Sequence, residues 1–160
     1  MMSTADLADE LGEAAKVVDL PLRDYGGARA FSGAARTLRC DGDNALLISL
    51  VSAPGDGRVL VVDGGGRTDV ALMGDVFAAE AVRNGWTGVV IDGAVRDVAI
   101  LAGMPLGVKA VASCPRRGAK AGVGEVGPVL HLAGTRIADG DMIHADEDGV
   151  LVVPAAVGIQ

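Results

Sequence analysis

Val59-Leu60-Val61-Val62-Asp63-Gly64-Gly65-Gly66 and Trp86-Thr87-Gly88-Val89-Val90-Ile91-Asp92-Gly93-Ala94-Val95-Arg96-Asp97 decide the fold. Each begins with a short apolar run that does not alternate, the pattern of a strand covered on both faces. An acid and a glycine turn follow each run, and then a helix start. The first helix is predicted from Gly74-Asp75 to about Asn84, where Gly85 stops it. The second runs from Arg96-Asp97 through Ala102, with Gly93-Ala94 turning the chain before it. In αβ sheets of this kind ligands gather beyond the carboxyl ends of the strands, so both glycine turns are expected at the site.

Working outward, Ser3 or Thr4 caps a short helix to about Leu11, with Asp6 in its first turn. Val17 to Leu20 is a brief extended piece, and Tyr25-Gly26-Gly27 is a turn. Phe31 to Cys40 reads as a strand with small residues on both faces. Asp43-Asn44 caps a helix from Ala45 to about Ser52, which Pro54-Gly55-Asp56-Gly57 ends. Leu106 to Val111 is a further strand. The last third reads as short strands, at 129–132, 135–137, 142–144 and 150–153, joined by turns. Helices and strands mixed in the middle and strands at the end predict one αβ sandwich over residues 1–160.

The 160-residue length fits one domain, and half the residues are apolar. Aromatics are only 2%, so the core is left to Val, Leu, Ile and Ala, with Phe31, Phe77 and Trp86 as its few large pieces. A net charge of −7 argues against nucleic acid, whose phosphates are bound by clustered Lys and Arg. The densest basic group, Arg116, Arg117 and Lys120, reads as a solvated loop. Cys40 and Cys114 have no metal-site or CxxC spacing and read as reduced thiols. No signal peptide and no apolar run of about 18 residues is visible. No membrane partner is therefore expected, and a cytoplasmic location follows by elimination.

Two constellations carry chemistry. At Gly74-Asp75-Val76-Phe77 the first N–H groups of a helix lack intrahelical partners, and the helix dipole is positive there. That suits a carboxylate, although Gly74-Asp75 also reads as a plain helix cap. Arg96 offers a planar fork for a carboxylate or enolate. Asp97 offers a hard oxygen for Mg²⁺ or Mn²⁺, although it also reads as an ordinary helix-start acid. Gly64-Gly65-Gly66 is no GxGxxG; it reads as a tight turn leaving space at the site. His131 and His144 read as structural histidines. Ser52 and Ser113 lack the context of a nucleophile.

Gly74-Asp75 followed by Asp92-Gly93-Ala94-Val95-Arg96-Asp97 resembles the family shared by the regulator of ribonuclease activity A and the 4-hydroxy-4-methyl-2-oxoglutarate aldolases. Tyr25-Gly26-Gly27, Phe31-Ser32-Gly33 and Asp43-Asn44-Ala45-Leu46-Leu47 extend the likeness towards the N-terminus. Val61 to Gly66, Ala71 to Asp75, Gly122-Val123-Gly124-Glu125 and 140–150 extend it over nearly the whole chain. The resemblance implies a β/β/α swivelling-type fold and a ring-shaped homotrimer, sometimes paired into a hexamer. It implies substrate contacts at Gly74, Asp75, Val76, Phe77 and Arg96, and a metal ligand at Asp97. It also implies cleavage of 4-hydroxy-4-methyl-2-oxoglutarate into two pyruvates and decarboxylation of oxaloacetate, both acting on a small 2-oxo acid. Catalytic members usually carry an acid three residues after the aspartate, where this chain has Ile100. Regulator members bind and inhibit a ribonuclease, the alternative role. An older family label, a menaquinone-pathway methyltransferase, finds no support, since Gly64-Gly65-Gly66 alone makes no cofactor pocket.

Overall fold

A computed structural model describes residues 1–157. The last three residues of the predicted 1–160 domain lie outside the described part. The strands are β1 (Lys16–Val17), β2 (Arg23–Asp24), β3 (Phe31–Arg39), β4 (Val59–Asp63), β5 (Ala71–Met73) and β6 (Gly88–Val95). They continue with β7 (Gly107–Ser113), β8 (Glu125–Val126), β9 (Leu130–Leu132), β10 (Thr135–Ile137), β11 (Met142–Asp146) and β12 (Gly149–Val153). The α-helices are α1 (Thr4–Leu11), α2 (Ala45–Val51), α3 (Asp75–Arg83) and α4 (Val98–Leu101).

One curled sheet runs in the order β1-β12-β11-β3-β4-β6-β7-β2. Strand β3 makes the curl. Its first half pairs antiparallel with β11, from Phe31 to Ala34, and its second half pairs parallel with β4, from Ala35 to Arg39. Strands β3, β4, β6 and β7 are parallel neighbours, and β5 adds parallel to the far end of β6. The β/β/α sandwich expected from the sequence is therefore the observed architecture, with α2, α3 and α4 forming the helical layer.

The non-alternating apolar runs now have a cause. Val59 and Val61 of β4 and Val90 of β6 face a core shared with β3, β9, β10, β11 and β12. Leu60, Val62, Val89 and Ile91 face the opposite core, against Leu47, Val51, Ala78, Ala81 and Leu101 of the helices. Both faces are dry, so each position must be apolar, and each buried side chain contributes about 1.5–3 kcal/mol. The Phe31 ring packs directly over two glycines at the start of the parallel strands. A Cβ at either Gly88 or Gly107, which pair across β6 and β7, would run into its ring.

Two sequence expectations need correction. Gly93-Ala94 is no turn but lies inside β6, where the register against β7 shifts between Ile91 and Ala94. Residues 71–73, unassigned from the sequence, form β5. Its three residues are too few to show a period, and pairing with β6 creates the strand.

Candidate active site

Strands β5 and β6 lie side by side and end together, with Met73 opposite Val95. Each hands its next residue to one cavity. Gly74 leaves β5 and starts α3; Arg96 leaves β6, its amide donating to the Met73 carbonyl at 2.9 Å. The cavity, of about 430 Å³, is lined by Gly74, Asp75, Val76, Phe77, Arg96 and Asp97. The six residues singled out for substrate and metal thus meet at one place.

Asp97 links the two helices. Its carbonyl accepts from Ile100 and Leu101 to begin α4. Its backbone is left-handed, at φ 58° and ψ 38°, a conformation Asp tolerates better than most residues. That turn swings the carboxylate back to the start of α3, where Oδ2 accepts the Asp75 amide at 3.0 Å. Asp97 therefore supplies the side-chain cap that Gly74 lacks. The glycine is required by this contact: a Cβ there would strike Asp97 Oδ2 and lie 3.2 Å from Arg96 Cγ. This corrects the anion-site expectation in one respect. The Asp75 amide is taken, so Val76 and Phe77 supply the amides left at the first turn of α3.

Sequence reasoning missed three polar lining residues. Arg117 and Lys120, expected on a solvated loop, border the cavity, and so does Asn44. The Lys120 ammonium stands 5.8 Å from the centre of the Phe77 ring. Only the local density of basic residues marked this segment, and density alone gives no direction in space.

The Gly64–Gly66 turn is tight but does not border the cavity; Gly64 and Gly66 both donate to the Asp92 carbonyl, each at 3.1 Å. His131 on β9 and His144 on β11 lie outside it, as do Ser52 and Ser113. Cys40 is buried and free; burial, with Asp43, Asp63 and Asp41 nearby, pushes its thiol up to about 12, so it is inert near neutrality. Among the described residues no group of three or more His, Cys, Asp or Glu could hold a metal by itself. No helix there is long and apolar enough to cross a membrane.

The fold and this cavity define the class. The family model described as RraA-like: Aldolase/RraA matches residues 4–152, and the chain belongs to that family. Among its relatives, a protein of Xanthomonas campestris pv. campestris strain B100, provisionally named 4-hydroxy-4-methyl-2-oxoglutarate aldolase, is 48% identical over 158 residues. The match covers 99% of this chain and 95% of that one. The RNA-processing inhibitor RraA from Thermus thermophilis superposes with a TM-score of 0.93 at 41% identity, covering 96% of this chain and 93% of that one. A Geobacillus kaustophilus HTA426 structure named S-adenosylmethionine: 2-dimethylmenaquinone methyltransferase gives 0.92 at 42% identity, covering 96% and 95%.

Proposed function

We propose that this chain is a divalent-metal-dependent lyase acting on small 2-oxo acids. Its reactions are cleavage of 4-hydroxy-4-methyl-2-oxoglutarate into two pyruvates and decarboxylation of oxaloacetate. The observation that carries this reading is the convergence of Arg96, Asp97 and the first turn of α3 on one cavity. The family membership and the name of the Xanthomonas relative support it.

The residues present fit Mg²⁺ or Mn²⁺ held chiefly by substrate and water. One Asp97 oxygen caps α3, and the other accepts no hydrogen bond among the described residues, so it is open to a hard cation. A single protein carboxylate is ordinary for Mg²⁺, which retains several waters. Charge balance points the same way. Asp97 already sits at the positive end of α3, so a substrate carboxylate arriving there meets a negative charge unless a cation stands between them. Ile100, 52% exposed, brings no oxygen to this place and does not border the cavity.

In this reading the Val76 and Phe77 amides orient the substrate's carboxylate. Bound there, the metal would act as a Lewis acid on the 2-oxo group and stabilise negative charge developing after C–C cleavage. Arg96 stands beside that group and offers a fixed positive charge where the enolate forms, needing no reorganisation. Its Nη1 donates to the Pro115 carbonyl at 3.4 Å, which restrains the guanidinium.

Val76, Val98 and Ile100 are 68%, 36% and 52% exposed, and all three follow the cavity's own helix starts. Burial of these side chains against a second copy accounts for their character, in keeping with the ring-shaped homotrimer the family likeness implies. Sedimentation at micromolar protein tests that assembly. Pyruvate release from oxaloacetate, with and without Mg²⁺ or Mn²⁺, tests the lyase; release no faster than with metal alone overturns it. The likeness to the Thermus RNA-processing inhibitor favours a second reading, a protein-binding regulator of a ribonuclease. An RNA-cleavage assay with purified ribonuclease tests this, and absence of both binding and inhibition removes it.

A further inference from the structure

We infer that Asn44 is a specificity-determining residue whose side-chain oxygen accepts a hydrogen bond from the C4 hydroxyl of a hydroxylated 2-oxo acid. The inference rests on the lyase reading of the cavity and deepens it. It assigns a partner to the one group that separates an aldol substrate from oxaloacetate.

Asn44 stands where a helix start ordinarily uses its side chain. It is the N-cap residue of α2, and an asparagine there usually accepts an amide of the first turn. Asn44 makes no such bond. The preceding residue has taken that task, since Asp43 Oδ1 accepts the Ala45 amide at 3.0 Å. The backbone of Asn44 is nevertheless held on both sides. Its amide donates to the Ala119 carbonyl at 2.8 Å, and its carbonyl accepts the Ile48 amide at 3.2 Å. A fixed backbone therefore carries a polar side chain with no local duty.

That side chain is unfavourable where it stands. Asn44 is 8% exposed, and its Oδ1 is buried without a hydrogen-bond partner among the described residues. A buried acceptor left unpaired forfeits the hydrogen bonds it had in water, so its presence calls for a group that completes it. Asn44 borders the same cavity as Arg96, Asp97 and the first turn of α3, so a molecule bound there can supply that group.

The chemistry of the cavity selects the group. Arg96, Arg117 and Lys120 are donors, as are the Val76 and Phe77 amides, and donors serve acid and keto oxygens. Among the described residues lining the cavity, Asn44 has the one uncharged side chain that can both accept and donate. Ionised carboxylates and ketones only accept, so they cannot complete Oδ1. On a 2-oxo acid cleaved by a retro-aldol reaction the donor is the C4 hydroxyl. It gives its hydrogen to Oδ1 and can also accept from Nδ2, so either end of the amide suits it. Oxaloacetate, as its keto acid, has no such donor and leaves Oδ1 unpaired. Asn44 takes no proton, because an amide is not a base near neutrality. It selects the hydroxy acid and fixes the direction of its C4–O bond.

The test uses two acids that differ in this group alone, 4-hydroxy-4-methyl-2-oxoglutarate and 4-methyl-2-oxoglutarate. With Mg²⁺ present, each is measured as a competitor of oxaloacetate decarboxylation by the wild type, Asn44→Leu and Asn44→Ala. Leucine keeps the branched shape and removes both polar atoms; alanine serves if leucine does not fit. The wild type is expected to prefer the hydroxy acid about tenfold, the scale of one hydrogen bond whose loss leaves a buried acceptor unpaired. Both variants are expected to bind the two acids within about twofold of each other. The ratio of kcat/KM for the hydroxy acid to that for oxaloacetate is expected to fall about tenfold in both. Equal wild-type affinities, or a preference that survives in the variants, overturns the inference. So does a parallel fall for both acids and oxaloacetate, the result of a residue that only shapes the cavity. A wild type that turns over neither substrate removes the lyase reading. Both acids then stay intact, and calorimetric titration of the same proteins reads the hydroxyl preference directly, upholding or overturning the role of Asn44 by the same criteria.

Discussion

Asp97 has two jobs in the structure, and substitution separates them. Its carboxylate caps α3 through the Asp75 amide, and its left-handed backbone begins α4. Removing the cap in Asp97→Ala costs about 1 kcal/mol. Alanine in a left-handed conformation adds roughly another 1 kcal/mol over aspartate. A protein of this length loses about 2–4 °C in Tm per kcal/mol, so a fall of about 4–8 °C is expected. Asp97→Gly keeps the backbone relaxed and is expected to lose only about half of that. Asp97→Asn retains an acceptor for the Asp75 amide and tolerates the backbone, so its stability stays within about 0.5 kcal/mol of wild type. All three lack the charge, and all three are expected to fall to the metal-only rate of pyruvate release. Thermal unfolding and the oxaloacetate assay, on the same preparations, decide the matter. Full activity in Asp97→Asn refutes the metal-ligand role. An Asp97→Ala protein as stable as wild type refutes the capping argument.

Gly74→Ala is expected to abolish pyruvate release and to lower Tm by about 2–4 °C, because the new methyl displaces Asp97 Oδ2 and with it the α3 cap, worth about 1 kcal/mol; kinetics beside a melting curve check it. Gly107→Ala drives a methyl into the Phe31 ring and is expected to cost about 1–3 kcal/mol by urea unfolding, leaving the cavity untouched. Burial holds the His144 imidazole below its ordinary value, and its Nε2 has no hydrogen-bond partner. The unfolded chain then binds this proton more readily than the folded one. Stability from this source is full above about pH 6.5 and falls as the pH drops towards the folded value. His144→Gln is expected to flatten that slope in unfolding free energy measured from pH 7 to 5.

By itself the sequence determined the layers and the helix starts. Val59–Val62 and Val89–Ile91 must be covered on both sides, since a continuous apolar run has no face to give to water. Ser3, whose hydroxyl accepts the Asp6 amide at 3.1 Å, marks a helix start through chemistry confined to one turn. Gly74, Asp75, Arg96 and Asp97 were legible as a set because their order and spacing match a family pattern. Tertiary structure alone decided what lay between distant segments. Strand β5 exists because β6 offers it a ladder, and Gly93-Ala94 continues a strand because pairing outweighs the turn preference of glycine. Gly74 is a glycine because of a carboxylate that only folding brings beside it. Arg117 and Lys120 border the cavity because Gly42 and Asp43, far away along the chain, hold the amides of the neighbouring Ala119, Ala121 and Gly122. Local rules cover a few residues of chain, whereas these contacts depend on where the curled sheet brings its ends together.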